Sequence, residues 1–132
     1  MTDAENGKFR HACRMGQVGA VKGALKNGVA DFKQGGKTIR GWTPLHIACW
    51  GSMQPQNDKD IVEAILLAAQ KNKCDDAVRG AKCKVDGDTP LDLAKFRREQ
   101  LTRQPESDEV NVRKRKFDKI IEWLEKGLPS AG

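Results

Sequence analysis

The sequence predicts an all-α protein built as a stack of helical pairs. Three observations carry this reading. Apolar residues recur at three- and four-residue spacing in three separated segments, strand signals are nearly absent, and the stretches "GWTPLHIA" and "GDTPLDLA" open helices in the same way. With 132 residues the chain suits one domain, 1–132, with a single core.

The first stripe lies in "VGAVKGALKNG", where Val18, Val21, Ala24 and Leu25 share a face and Gly28 occupies the left-handed position that ends a helix. The second lies in "DKDIVEAILLAAQ", with Ile61, Ala64, Ile65 and Ala68 on one side and Leu66 and Leu67 widening it. The third lies in "KFDKIIEWLEKGLP", with Phe117, Ile120, Ile121 and Leu124, closing on Gly127 with Pro129 beyond. Each follows a shorter helix. Thr43 and Thr89 can cap the first-turn N–H groups of two of these, and Pro44 and Pro90 take the first helical position, where a missing N–H costs nothing.

These residues resemble the ankyrin-repeat family, whose units begin Gly-x-Thr-Pro-Leu-His and continue through small residues to an apolar second helix. The middle unit, 39–84, matches at Gly41, Thr43, Pro44, Leu45, His46 and Ala48, then at Ile61, Val62, Ile65 and Leu66. The last, 85–128, matches at Gly87, Thr89, Pro90, Leu91, Leu93 and Ala94, then at Ile120, Ile121 and Leu124, with Asp92 in place of His. The first, 5–38, lacks Thr-Pro-Leu-His but keeps Phe9, Ala12, Gly16, Val21, Leu25 and Gly28 in register, as suits a capping unit whose outer face meets water. The resemblance implies a solenoid of three stacked helix-turn-helix units joined by hairpin-like loops.

The aligned starts Gly7, Thr43 and Thr89 are 36 and 46 residues apart, against a family period of ~33. The surplus falls in three places. "GSMQPQN" is read as a loop with Asn57 as a helix cap, and "NKCDDAVRGAKCKVDG" as a long finger-like hairpin. "RREQLTRQPESDEVNVRKRK" is read as an elongated helical hairpin, helices 90–103 and 108–126, in preference to a disordered insertion. Its first half uses good helix formers, and Ser107, Asp108 and Glu109 make a capped, acid-rich second start.

Chemistry finds little support. His46 has no carboxylate or second ligand at useful spacing, and the resemblance implies that it bonds back toward Thr43. Cys13 and Cys49 share a repeat position and read as small packing residues. Cys74 and Cys83 offer a disulfide or a weak metal site with Asp75 or Asp76, but the chain shows neither a secretory signal nor Cys-x-x-Cys pairing, so reduced thiols are expected. No phosphate-loop motif and no Ser, His and Asp constellation occurs. An enzyme is therefore not expected, nor is a cofactor or a metal. No stretch reaches the length of a membrane span. The expected location is cytoplasmic, with nuclear entry through the basic run Arg113, Lys114, Arg115 and Lys116 as an added option.

Function is expected at a surface. In the resembled family the variable concave-face positions precede the Thr and follow the small Ala, which selects Trp42 and Asp88, then Arg14, Trp50 and Phe96. Arg40, Lys37 and Arg97 add a positive rim. Aromatic and Arg side chains are common interface anchors, so the expectation is a monomeric, noncatalytic adaptor or inhibitor that binds a protein, with an acidic or phosphorylated segment best suited to the rim. The alternative is nucleic-acid association through 112–119, supported by a net charge of +6.

Overall fold

Two reciprocal capping boxes anchor the architecture. The computed structural model describes residues 3–28, 41–83 and 85–129. Among these it has seven α-helices and no strand: α1 Asp3–Met15, α2 Val18–Lys26, α3 Pro44–Trp50, α4 Asp58–Lys71, α5 Asp75–Arg79, α6 Pro90–Thr102 and α7 Asp108–Lys126. Helices α3 and α6 start at Thr43 and Thr89. Each Thr hydroxyl accepts the N–H three residues on, and the side chains of His46 and Asp92 accept the N–H of the Thr in return. Ser107 caps α7 by accepting the Val110 N–H at 3.2 Å.

Helix pairs α1 with α2, α3 with α4, and α6 with α7 pack against one another, and the pairs stack. One layer runs α1, α3, α6 and the other α2, α4, α7. The core fills the space between them, with Phe9, Val21, Leu45, Ile61, Ile65, Leu66, Ile120 and Trp123 all buried. Each aliphatic side chain enclosed there contributes about 1.5–3 kcal/mol relative to exposure. The α4 stripe is rotated from the expected one. Val62 and Ala69 join Ile61, Ile65 and Leu66 inside, whereas Ala64 and Ala68 are half-buried and Leu67 is exposed. The reason is that α4 touches α2, α3, α5 and α7, so its buried arc is wider than one two-helix contact requires.

The surplus segments act as clamps. In the loop after α3, the Met53 N–H donates to the Arg14 carbonyl at 2.9 Å and Gln54 Nε2 to Met15 at 3.1 Å. Asn57 does not cap α4. Its amide donates to the Gly16 carbonyl at 3.0 Å instead. Gly16 has φ +75°, and a Cβ there would lie 2.7 Å from Ser52 Oγ, so the close approach of loop to turn requires glycine.

The 72–87 stretch is more than a finger, because it contains α5. Arg79 pairs with Asp75 at 3.0 Å and Asp76 at 2.9 Å within that helix, and its Nη1 donates to the Leu124 carbonyl at 2.9 Å, tying α5 to the end of α7. Beyond it the chain reverses, with the Cys83 N–H donating to Asp88 and the Gly87 N–H to Cys83. Residues 97–116 are helical apart from a short turn, since α6 continues to Thr102 and α7 begins at Asp108. The two helices pack along their length and are cross-linked by Arg98 and Asp118 at 2.8 Å.

Candidate functional site

His46 is a strut. It is wholly buried, with Nδ1 2.7 Å from the Thr43 hydroxyl and Nε2 2.7 Å from the Asp88 carbonyl. A carbonyl only accepts, so Nε2 carries the proton and Nδ1 accepts from Thr43, which makes this the neutral tautomer. Burial lowers the imidazole pKa below its ordinary value, outweighing the Asp88 carbonyl, which acts in the opposite sense. The ring thereby joins its own helix start to the turn preceding α6. With no open face it cannot serve as a base or a ligand.

The cysteines are equally occupied. Cys13 and Cys49 are fully enclosed. Burial pushes the Cys13 thiol up to about 12, and burial with the nearby Asp58 charge raises Cys49 further. All four cysteines are free thiols. Cys74 Sγ faces the Ala69 carbonyl at 3.7 Å. Among the described residues, those that cluster with metal-ligand spacing are Cys83, Asp86 and Asp88 at the turn, with ligand atoms within 4.8 Å of one another, and not Cys74 with Asp75 or Asp76.

The aromatic residues converge. Trp42 enters just ahead of α3, Trp50 ends α3, and Phe96 comes from the neighbouring α6, so the pairing of these helices brings them into one row. Ring centroids of Trp42 and Trp50 lie 5.6 Å apart in a tilted arrangement, and those of Trp50 and Phe96 lie 5.8 Å apart, stacked within 10° of parallel. The Arg97 guanidinium carbon sits 5.1 Å from the centre of the Trp50 ring. Phe96 is 49% exposed at the end of the row, while both tryptophans are half-buried. Phe96 and Arg97 hold Trp50 from the neighbouring helix.

The remaining candidates divide. Arg14 is exposed at the end of α1. Asp88 acts through its carbonyl, which receives His46 and Cys83. Arg40 and Lys37 lie outside the described residues. The basic run does not form one surface. Helical spacing turns Arg113 and Lys116 inward to line a cleft of about 60 Å³, together with Arg97, and Lys114 and Arg115 are not among its lining residues.

That cleft is what reading the sequence missed. Gly51, Ser52 and Asp58 form one wall, and the facing sides of α6 and α7 form the others. Asp58 is buried, and its Oδ1 accepts both the Ser52 N–H, at 2.9 Å, and the Ser52 hydroxyl. Burial raises its pKa above the ordinary carboxylate value, against the opposing influence of Ser52, Arg97 and Arg113. In the sequence Asp58 is simply an acid at a helix start. Only the loop folding back over it makes it an interior group.

The ankyrin-repeat family model matches residues 40–76. No curated protein and no solved structure matches the chain significantly. Ankyrin repeats are in general protein-binding modules and are typically noncatalytic. No helix among the described residues is long and apolar enough to cross a membrane. With the Thr43 and His46 capping box, the enclosed α3 and the α4 stripe all inside the matched span, residues 40–76 are an ankyrin repeat within an all-helical chain.

Proposed function

We propose that this protein is a noncatalytic binding module that engages a partner protein through the surface carrying Trp42, Trp50, Phe96 and Arg97. The observation that supports it is the row itself. Three aromatic rings, from α6, α3 and the residue just ahead of α3's cap, stand in contact, flanked by a cation. Fold stability alone does not call for a half-exposed Phe96 stacked on a tryptophan at the surface. Such rings supply large, rigid contact area at low entropic cost, and buried aromatic and Arg anchors contribute about 2 kcal/mol or more each at an interface. The site suits an extended or helical protein segment with acidic character, which Arg97 and the neighbouring cations favour.

The test is affinity capture from a lysate with wild type, with Phe96→Ala and with Trp42→Ala, Trp50→Ala. Phe96→Ala removes only the exposed end of the row, so it remains informative if the double variant is destabilised. Specific partners should weaken at least tenfold with each folded variant. Partners retained undiminished by both would refute the assignment of this surface. Steep loss of binding with added salt, unaffected by the aromatic substitutions, would favour a nucleic-acid partner instead.

A further inference from the structure

Two sets of cations that are distant in the sequence meet in one place. Arg97 from α6 and Arg113 and Lys116 from α7 line the cleft of about 60 Å³ beneath the loop 51–58, and the amides of Gln100 and Gln104 line it too. We propose that this cleft holds the phosphoryl group of a phosphorylated side chain, carried on the peptide segment that lies across the aromatic row. The identity of the carrier rests on the function proposed above, whereas the oxyanion site rests on the cleft.

Charge and donor chemistry favour the assignment. Three cations face a single carboxylate, Asp58, whose Oδ1 is already taken by Ser52. Glu109 pairs with Arg113 at 3.2 Å from outside the cleft and is mostly exposed. Arg97 has spare donor capacity. Its Nη1 donates to Gln100 at 2.9 Å, while its Nε is shielded from solvent with no acceptor among the described residues. Guanidinium groups match phosphate oxygens in pairs, and a phosphate monoester is nearly dianionic at neutral pH.

Size and surroundings specify the carrier. A volume of about 60 Å³ takes roughly four water-sized atoms, which fits a tetrahedral oxyanion. On one side Arg97 connects the cleft to the Trp50 ring. On the other, Arg113 and Lys116 are shared with an open groove of about 350 Å³ lined also by Pro55, the exposed Val112 and the carboxylates of Asp108 and Glu109, which favour flanking residues of neutral or basic character. Surfaces that accept flanking residues thus lie on both sides of the cationic point. This is the layout of a peptide track and not of a site for a free ion.

Two measurements on the full chain test the proposal. In the first, inorganic phosphate is titrated into ¹⁵N-labelled protein. Saturable shifts are expected at the Arg97 Nε–H and at the amides of residues 51–58, with affinity lowered at least tenfold by R113Q/K116Q. K116Q alone, which loses one exposed bond to the Gln56 carbonyl, provides a milder variant that keeps the fold. Absent or unsaturable shifts, or shifts unchanged in both variants, overturn the oxyanion site. In the second, an array of random peptides centred on phosphoserine, phosphothreonine or phosphotyrosine is probed beside its unphosphorylated twins. Phosphorylated members should be retained at least tenfold better and be lost with R113Q/K116Q. Equal retention of the twins, lost with Trp42→Ala, Trp50→Ala, overturns this inference and leaves the aromatic surface standing. Phosphopeptide binding lost with R113Q/K116Q but indifferent to Trp42→Ala, Trp50→Ala and Phe96→Ala supports the phosphoryl site and removes the aromatic row. Phosphate binding without any phosphopeptide selection overturns the peptide carrier.

Discussion

Replacing His46 measures how strongly one repeat is fastened to the next structure along the stack. His46→Ala removes the acceptor facing Thr43, where the hydroxyl lies at 2.7 Å and the N–H at 3.2 Å, and the Nε2 bond to the Asp88 carbonyl at 2.7 Å. At about 1 kcal/mol net per buried bond, with a further contribution from the cavity at a wholly enclosed site, destabilisation should reach about 3–4 kcal/mol. Asp88 limits the loss, because its carbonyl still receives the Cys83 N–H at 2.9 Å. His46→Asn separates the two roles. A short side-chain acceptor can close the capping box, as Asp92 does for the Thr89 N–H at 3.0 Å, but it cannot reach Asp88. It should lose about 2 kcal/mol. Urea unfolding followed by far-UV circular dichroism gives both values. The pH dependence adds a second readout. Because the folded-state pKa lies below the ordinary histidine value, the unfolded chain takes up the proton more readily. The contribution of neutral His46 is complete above about pH 6.5 and declines as the pH falls from there toward the lowered value. His46→Asn should flatten that decline. Wild-type stability in His46→Asn, or an unchanged pH profile, would refute the strut assignment.

Gly16→Ala should destabilise by about 2 kcal/mol or more, since it forces a Cβ to φ +75° and into contact with Ser52 Oγ and Gln54 Cβ; an unaltered melting temperature would show that the loop clamp yields freely. Asp58 has the opposite pH sense to His46. Its raised folded pKa means that stability increases as the pH falls through that value toward the ordinary carboxylate range, and Asp58→Asn should abolish this rise in unfolding titrations. Native protein treated with a thiol reagent should modify Cys74 first, while buried Cys13, Cys49 and Cys83 react only on unfolding; rapid modification of Cys13 or Cys49 would contradict the packing described.

Local chemistry wrote three of the helix starts into the sequence. As caps, Thr43, Pro44 and His46, Thr89, Pro90 and Asp92, and Ser107 act within four residues of themselves, so their spacing alone identifies α3, α6 and α7. The aromatic row was legible for a related reason. Trp50 and Phe96 stand at the same offset from a helix-capping Thr, and because α3 packs on α6 they meet although 46 residues separate them. Contacts between dissimilar segments carry no such periodicity. Nothing around Asn57 indicated that its amide would reach Gly16, and nothing around Arg79 pointed to Leu124. The clearest case is the basic run. Along the chain Arg113, Lys114, Arg115 and Lys116 are one block of charge, but a helix rotates successive residues by about 100° and sends them to different faces. Which face turns toward Arg97 depends on how α7 packs on α6 and beneath the loop after α3, a choice made by burial over the whole stack.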